Sequence, residues 1–105
     1  MEMMYPTITM WELERWIACG KTMYLVDLRN QESFCRCHLM GAVNIPMDEL
    51  EERLDEFPTG IPIVLYCSRG SKSMLACNHL WDRGYQVVNV GGGLVAYRGK
   101  YMVRS

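Results

Sequence analysis

Apolar residues fall into two kinds of pattern along the 105 residues. Continuous or nearly continuous runs occupy Met23-Tyr24-Leu25-Val26, Pro62-Ile63-Val64-Leu65-Tyr66 and Gln86-Val87-Val88-Asn89-Val90. Short apolar runs bounded by turn formers predict strands covered on both faces. Helical spacing lies between them. Thr9 with Glu12 forms a capping box, Leu13, Trp16 and Ile17 recur at helical intervals, and Gly20 supplies a stop, which predicts a helix over 9–19. Met47, Leu50, Leu54 and Phe57 mark one side of a second helix. Its other positions, Glu49, Glu51, Glu52, Asp55 and Glu56, form an acidic solvated face. A third helix is predicted from near Ser71 to Gly84, with Met74, Cys77, Leu80 and Trp81 inward and Asn78, Asp82 and Arg83 outward. Shorter elements complete the pattern: a helical turn over Gln31–Cys35, a brief strand over 41–46 closed by Pro46, a turn at Pro58-Thr59-Gly60, and a last short helix around Leu94–Arg98 after Gly91-Gly92-Gly93.

Strands alternating with helices predict an α/β protein, a parallel sheet with helices on both faces joined by right-handed crossovers. No repeat, low-complexity tract or linker interrupts the pattern, so a single domain over 1–105 is expected. Composition narrows the partners. Half the residues are apolar, 22% are charged and the net charge is −1. That is the profile of a soluble globular protein with no affinity for nucleic acid or an anionic membrane. No apolar run approaches the ~20 residues of a membrane-spanning helix, and Met1-Glu2-Met3-Met4 lacks the basic then apolar layout of a signal peptide, which points to the cytoplasm. Five cysteines, at 19, 35, 37, 67 and 77, form an odd set without a regular framework and read as reduced thiols. Cys19 and Cys77 fall within helical apolar patterns and are expected to be small buried hydrophobes.

Cys67 stands at the carboxyl end of a predicted strand and just before a helix, where open α/β sheets bind their ligands. The loop Ser68-Arg69-Gly70-Ser71-Lys72-Ser73 carries a glycine, three hydroxyls and two cations. Its backbone N–H groups can curl into a nest which, with the helix dipole, favours negative charge at the sulfur. A thiolate held there lies below the free-cysteine pKa of about 8.5 and is the nucleophile. A buried strand-end cysteine followed by a polar turn fits the same residues.

Three segments in order separate these readings. Ile63–Ser73, with Leu80, Gly84 and Tyr85 downstream, resembles the active-site strand, loop and helix of the rhodanese-like domains. Leu25-Val26-Asp27-Leu28-Arg29, then Phe34, His38, Gly41-Ala42 and Asn44-Ile45-Pro46, is similar to that family's first signature. Val90-Gly91-Gly92-Gly93 with Tyr97 is similar to its closing segment. The resemblance spans about residues 7–101. It implies a five-stranded parallel sheet and sulfurtransferase chemistry without a cofactor or metal. In the family the cysteine attacks the outer sulfur of thiosulfate, releases sulfite, and passes the bound sulfur to cyanide or a thiol. Carried over, Cys67 is the sulfur carrier, Ser68, Arg69, Gly70, Ser71, Lys72 and Ser73 hold the substrate, and Arg69 and Lys72 are the anion binders. The partners implied are a small-molecule sulfur donor and a thiol or cyanide acceptor, with a sulfur-relay protein as a further candidate.

Lys72 stands where many single-domain members have arginine, which replaces a bidentate grip by a point charge. Asp27 and Arg29 are candidates for the pocket border, but a structural role is preferred: Asp27 capping the loop after it, Arg29 pairing with Glu32. His38 is expected to make a loop-stabilising hydrogen bond and Tyr97 to be a core aromatic. Cys35-Arg36-Cys37-His38 departs from the family, which commonly has glycine where Cys37 stands. Structural zinc needs four ligands at wider spacing, which leaves a resolving thiol or secondary sulfur acceptor, or two incidental thiols. Two other functions remain as alternatives. A non-turnover persulfide carrier or interaction module uses the same cysteine. Phosphatases and arsenate reductases need an arginine at the position of Ser73, so that reading is disfavoured.

Overall fold

The computed structural model describes residues 4–104; residues 1–3, read above for a leader, lie outside the described residues. The elements in chain order are β1 (Thr7–Ile8), α1 (Met10–Ala18), β2 (Tyr24–Asp27), α2 (Gln31–Arg36), β3 (Cys37–Leu39), β4 (Val43–Asn44), β5 (Ile63–Tyr66), α3 (Ser71–Asp82), β6 (Val87–Val90) and β7 (Met102–Arg104), with short 3₁₀ helices at Met47–Glu49, Glu51–Glu56 and Leu94–Ala96. Five strands form one parallel sheet in the order β1-β6-β5-β2-β4. The three apolar runs are its central strands. Residues alternate strictly between two cores along them: Ile63, Leu65 and Cys67 face one side, Val64 and Tyr66 the other. On the first side the sheet is covered by α3 through Ala76, Cys77 and Leu80 and by Leu50 and Phe57. On the second it is covered by α1 through Met10 and Leu13 and by the C-terminal residues Leu94 and Tyr97. The sheet thus has helices on both faces, as the alternation required.

The N-terminal cap of α1 is the reciprocal one: Glu12 N donates to Thr9 Oγ1 at 3.0 Å and Thr9 N to Glu12 Oε1 at 3.1 Å. Elsewhere the sequence reading needs correction. The second helix is replaced by 3₁₀ helices at Met47–Glu49 and Glu51–Glu56, the latter kinked at Arg53, whose φ and ψ are −114° and 20°. Glu51 with Asp55 and Glu52 with Glu56 would be repelling i,i+4 pairs on an α-helix, and Arg53 is held at the break by Glu49 at 3.1 Å and Glu56 at 2.7 Å. The last helix shrinks to a 3₁₀ turn over Leu94–Ala96. Met74 and Trp81, expected inward, are 49% and 39% exposed. The small residues Ser73 and Ala76 form the buried stripe with Cys77 and Leu80 and let α3 approach the sheet. Cys19, expected to be buried, is exposed at the C-cap of α1. No helix among the described residues is long and apolar enough to cross a membrane.

Candidate active site

The chain leaves β5 at Tyr66 and enters α3 at Ser71, so loop 67–70 sits at the carboxyl end of the sheet. Gly70 makes the turn at φ +99°, a conformation that a side chain disfavours. Cys67 is almost fully buried, at 2% exposure, and its sulfur accepts hydrogen bonds from Gly70 N at 3.1 Å and Ser73 N at 3.3 Å. Burial pushes the Cys67 thiol up, but the hydrogen bonds it accepts, first of all from the Ser73 and Gly70 amides, outweigh it, and the net shift is downward. Cys77, buried beneath on α3, lacks such donors: burial and then the charge of Cys67 push it up to about 12. One buried cysteine is therefore activated and its neighbour is inert.

The loop is clamped from the C-terminal side. Leu94 N donates to Cys67 O at 2.7 Å and Val95 N to Ser68 O at 3.0 Å. The close approach depends on Gly93, at φ +66°, where an added Cβ would fall 2.3 Å from Ser68 O.

Above the sulfur opens a cavity of about 190 Å³ lined by Arg29, Asn30, Ser33, Cys67, Ser68, Arg69, Ser71 and Lys72. Three of the lining residues are cations and none is an acid. Most of the residues singled out from the sequence come together here. Gly70 contributes its amide from behind, and Ser73 is fully buried, its hydroxyl within 3.0 Å of Gly70 O and 3.4 Å of Val90 O. The position that an oxyanion-clamping arginine would need is thus occupied by a serine turned into the protein.

Asp27 lies behind the pocket, fully buried, and accepts Arg29 N at 2.9 Å, the cap expected of it. Arg29 does not pair with Glu32. Its Nε and Nη2 grip the Asp27 carboxylate at 2.7–3.1 Å and Nη2 also donates to Cys37 O at 2.5 Å, while Glu32 pairs with Arg36 instead. The i,i+3 partner was the obvious one in sequence, but a buried carboxylate is a stronger magnet for a guanidinium than an exposed one. Tyr66 completes the network, donating to Asp27 Oδ2 at 2.7 Å and accepting from Leu39 N at 3.1 Å. Burial, then the neighbouring Asp27 charge, push the Tyr66 phenol far up, so it stays a donor. The sequence reading missed this role, which arises from the register that sets Asp27 beside Tyr66.

His38 bonds Phe34 O through Nδ1 at 2.9 Å and stacks on the Phe34 ring, the loop-stabilising part expected of it. Tyr97 is buried and donates to Glu14 at 2.7 Å. Cys35 and Cys37 do not line the Cys67 pocket. Cys35 borders a separate depression with Gln31, Phe34 and Arg53. Ser33 is the residue of α2 that reaches the pocket, and side chains two apart on a helix point about 200° apart.

A family model, the rhodanese-like domain, matches residues 9–100, which settles the lineage. The chain belongs to the rhodanese-like domain family. It is 31% identical over 88 residues to a Bacillus subtilis protein named "Putative sulfurtransferase YtwF", covering 84% of this chain and 85% of that one. A protein of Allochromatium vinosum named "Sulfurtransferase" is 31% identical over 86 residues, 81% of this chain and 80% of its own. Among solved structures, a rhodanese-like domain protein from Staphylococcus aureus superposes with a TM-score of 0.87 at 27% identity, over 95% of this chain and 98% of that one. At the level of the family the activity is sulfur transfer.

Proposed function

We propose that the chain is a thiosulfate sulfurtransferase in which Cys67 carries the sulfur. The observation that carries this reading is the activated, buried Cys67 sulfur beneath a pocket whose uncompensated cations are Arg69 and Lys72, with Arg29, paired to Asp27, at its border. Thiosulfate is a dianion and must approach a thiolate. Two unit charges 4 Å apart repel by about 4 kcal/mol near a protein surface, so the attack needs cations beside it. The thiolate then attacks the outer sulfur of thiosulfate along the S–S axis. A Cys67 Sγ–S bond forms, the S–S bond breaks with its electron pair on sulfite, and the total charge of −3 is unchanged.

The product is an anionic persulfide whose outer sulfur takes the place of the thiolate as charge to be stabilised. Loop amides and the start of α3 serve it without moving. A thiolate or cyanide then attacks that sulfur and leaves Cys67 as the thiolate, ready for the next cycle. The lining holds no carboxylate to repel either anion. A small-molecule donor and acceptor, or the thiol of a sulfur-relay protein, suit such an opening.

Stopped-flow measurement of sulfite release tests the reading. The parent protein should release one equivalent in a burst and form thiocyanate continuously once cyanide is added. Arg69→Ala/Lys72→Ala should lower kcat/KM for thiosulfate at least about tenfold, the loss of one charge-assisted contact or more, while Cys67 remains alkylable by neutral iodoacetamide. An unchanged kcat/KM in the double variant would remove the loop cations from the donor site.

A further inference from the structure

Two walls face each other across the Cys67 pocket. Loop 68–72 is one; Arg29, Asn30 and Ser33, from the end of the β2–α2 turn and the first turn of α2, are the other. In this second wall half of the side-chain polar atoms are already committed. Arg29 gives Nε and Nη2 to Asp27 and Cys37 O, which fixes the guanidinium and offsets its charge. Asn30 spends its side-chain oxygen on the α2 cap, accepting from Ser33 N at 2.8 Å. Arg29 Nη1, the Asn30 amide nitrogen and the Ser33 hydroxyl make no hydrogen bond among the described residues; of these the hydroxyl is the one carried by α2 itself, on a residue that is half-buried and lines the pocket.

We propose that Ser33 is a specificity-determining residue, whose hydroxyl donates to an oxygen of the sulfonate group of the sulfur donor. The assignment rests on the sulfurtransferase reading above and names the donor class. Cys67 lies at the floor and must meet the outer sulfur, so the rest of the donor projects toward the mouth and the opposite wall. In thiosulfate, or an organic thiosulfonate, that part carries oxygens, which are strong acceptors. In an alkyl hydropersulfide it is the leaving thiolate sulfur and its alkyl group, with no oxygen. A hydroxyl facing it therefore separates the two classes, because a site built to hydrogen-bond an oxygen loses that bond with a donor that has none. The hydroxyl carries no charge, so it contributes direction where Lys72, a point charge on a flexible stem, cannot.

The test is the first half-reaction of the parent, Ser33→Ala and Ser33→Thr, read as persulfide formation by intact mass with time. Alanine is a better helix former than serine and should leave the fold intact; iodoacetamide labelling of Cys67 at the parental rate checks this. Ser33→Ala should lower kcat/KM for thiosulfate about tenfold, mainly through KM, and leave kcat/KM for an alkyl hydropersulfide unchanged. Ser33→Thr should keep most of the thiosulfate activity. Equal thiosulfate kinetics in Ser33→Ala and parent, or an equal loss with both donors, would overturn the assignment. If the parent itself takes no sulfur from thiosulfate, the sulfurtransferase reading fails first, and the Ser33 assignment with it.

Discussion

Replacing Asp27 by asparagine removes a charge from a place that water cannot reach. The carboxylate is fully buried, accepts the Tyr66 hydroxyl at 2.7 Å, and holds a guanidinium whose side chain is only 11% exposed. Asparagine has nearly the same shape but keeps one acceptor oxygen, and its NH₂ must point at either a cation or a hydroxyl donor. The larger effect is the Arg29 charge left without its partner. Breaking a buried ion pair from one side costs about 3–5 kcal/mol, which for a domain of this size lowers Tm by at least about 12 °C. Tyr66→Phe is milder: it removes one donor to Asp27 and leaves Leu39 N without its acceptor, about 1–3 kcal/mol. Because the two residues share one network, the double variant should cost less than the sum. Urea unfolding followed by the fluorescence of the three tryptophans measures all four proteins. An Asp27→Asn variant within about 1 kcal/mol of the parent, or strictly additive losses, would refute the network as a support of the pocket wall.

The remaining predictions concern the nucleophile loop. Alkylation of Cys67 against pH, resolved by peptide mapping, should show a midpoint below the ordinary thiol value; because the shift is downward, reactivity persists as pH falls where a free thiol has lost it. Cys77 should label only on unfolding, since it is fully buried and its thiol is pushed up to about 12. Gly93→Ala should displace Ser68, because its Cβ and the Ser68 carbonyl cannot share 2.3 Å, and should both destabilise the protein and slow alkylation of Cys67. Parental values for both would mean that the 91–96 segment does not set the loop.

The central strands were legible because each is buried on both faces and hence apolar except for Asn89 in β6 and Asp27 at the end of β2. The edge strand β1, only Thr7–Ile8, and the antiparallel pair β3–β7 were not, since two or three residues carry no period and their pairing is set by tertiary contacts. Cys67 and its loop were legible because the nest is built from consecutive residues. The opposite wall was not. Ser33 and the grip of Arg29 on Asp27 depend on how α2 turns over the sheet, and Tyr66 gains its role only from the alignment of β2 with β5. On α3 Cys77 and Leu80 are inward as expected, but Met74 and Trp81 are not: these two have the apolar character of core residues, while Ser73 and Ala76 have the size that the close approach requires.

Intact mass before and after exposure to thiosulfate tests the central claim most directly. The parent should gain the mass of one sulfur atom, located on Cys67 by peptide mapping and removed by cyanide as thiocyanate. Cys67→Ser should gain nothing. Stoichiometric gain by the serine variant, or no gain by the parent, would contradict the assignment of Cys67 as the sulfur carrier.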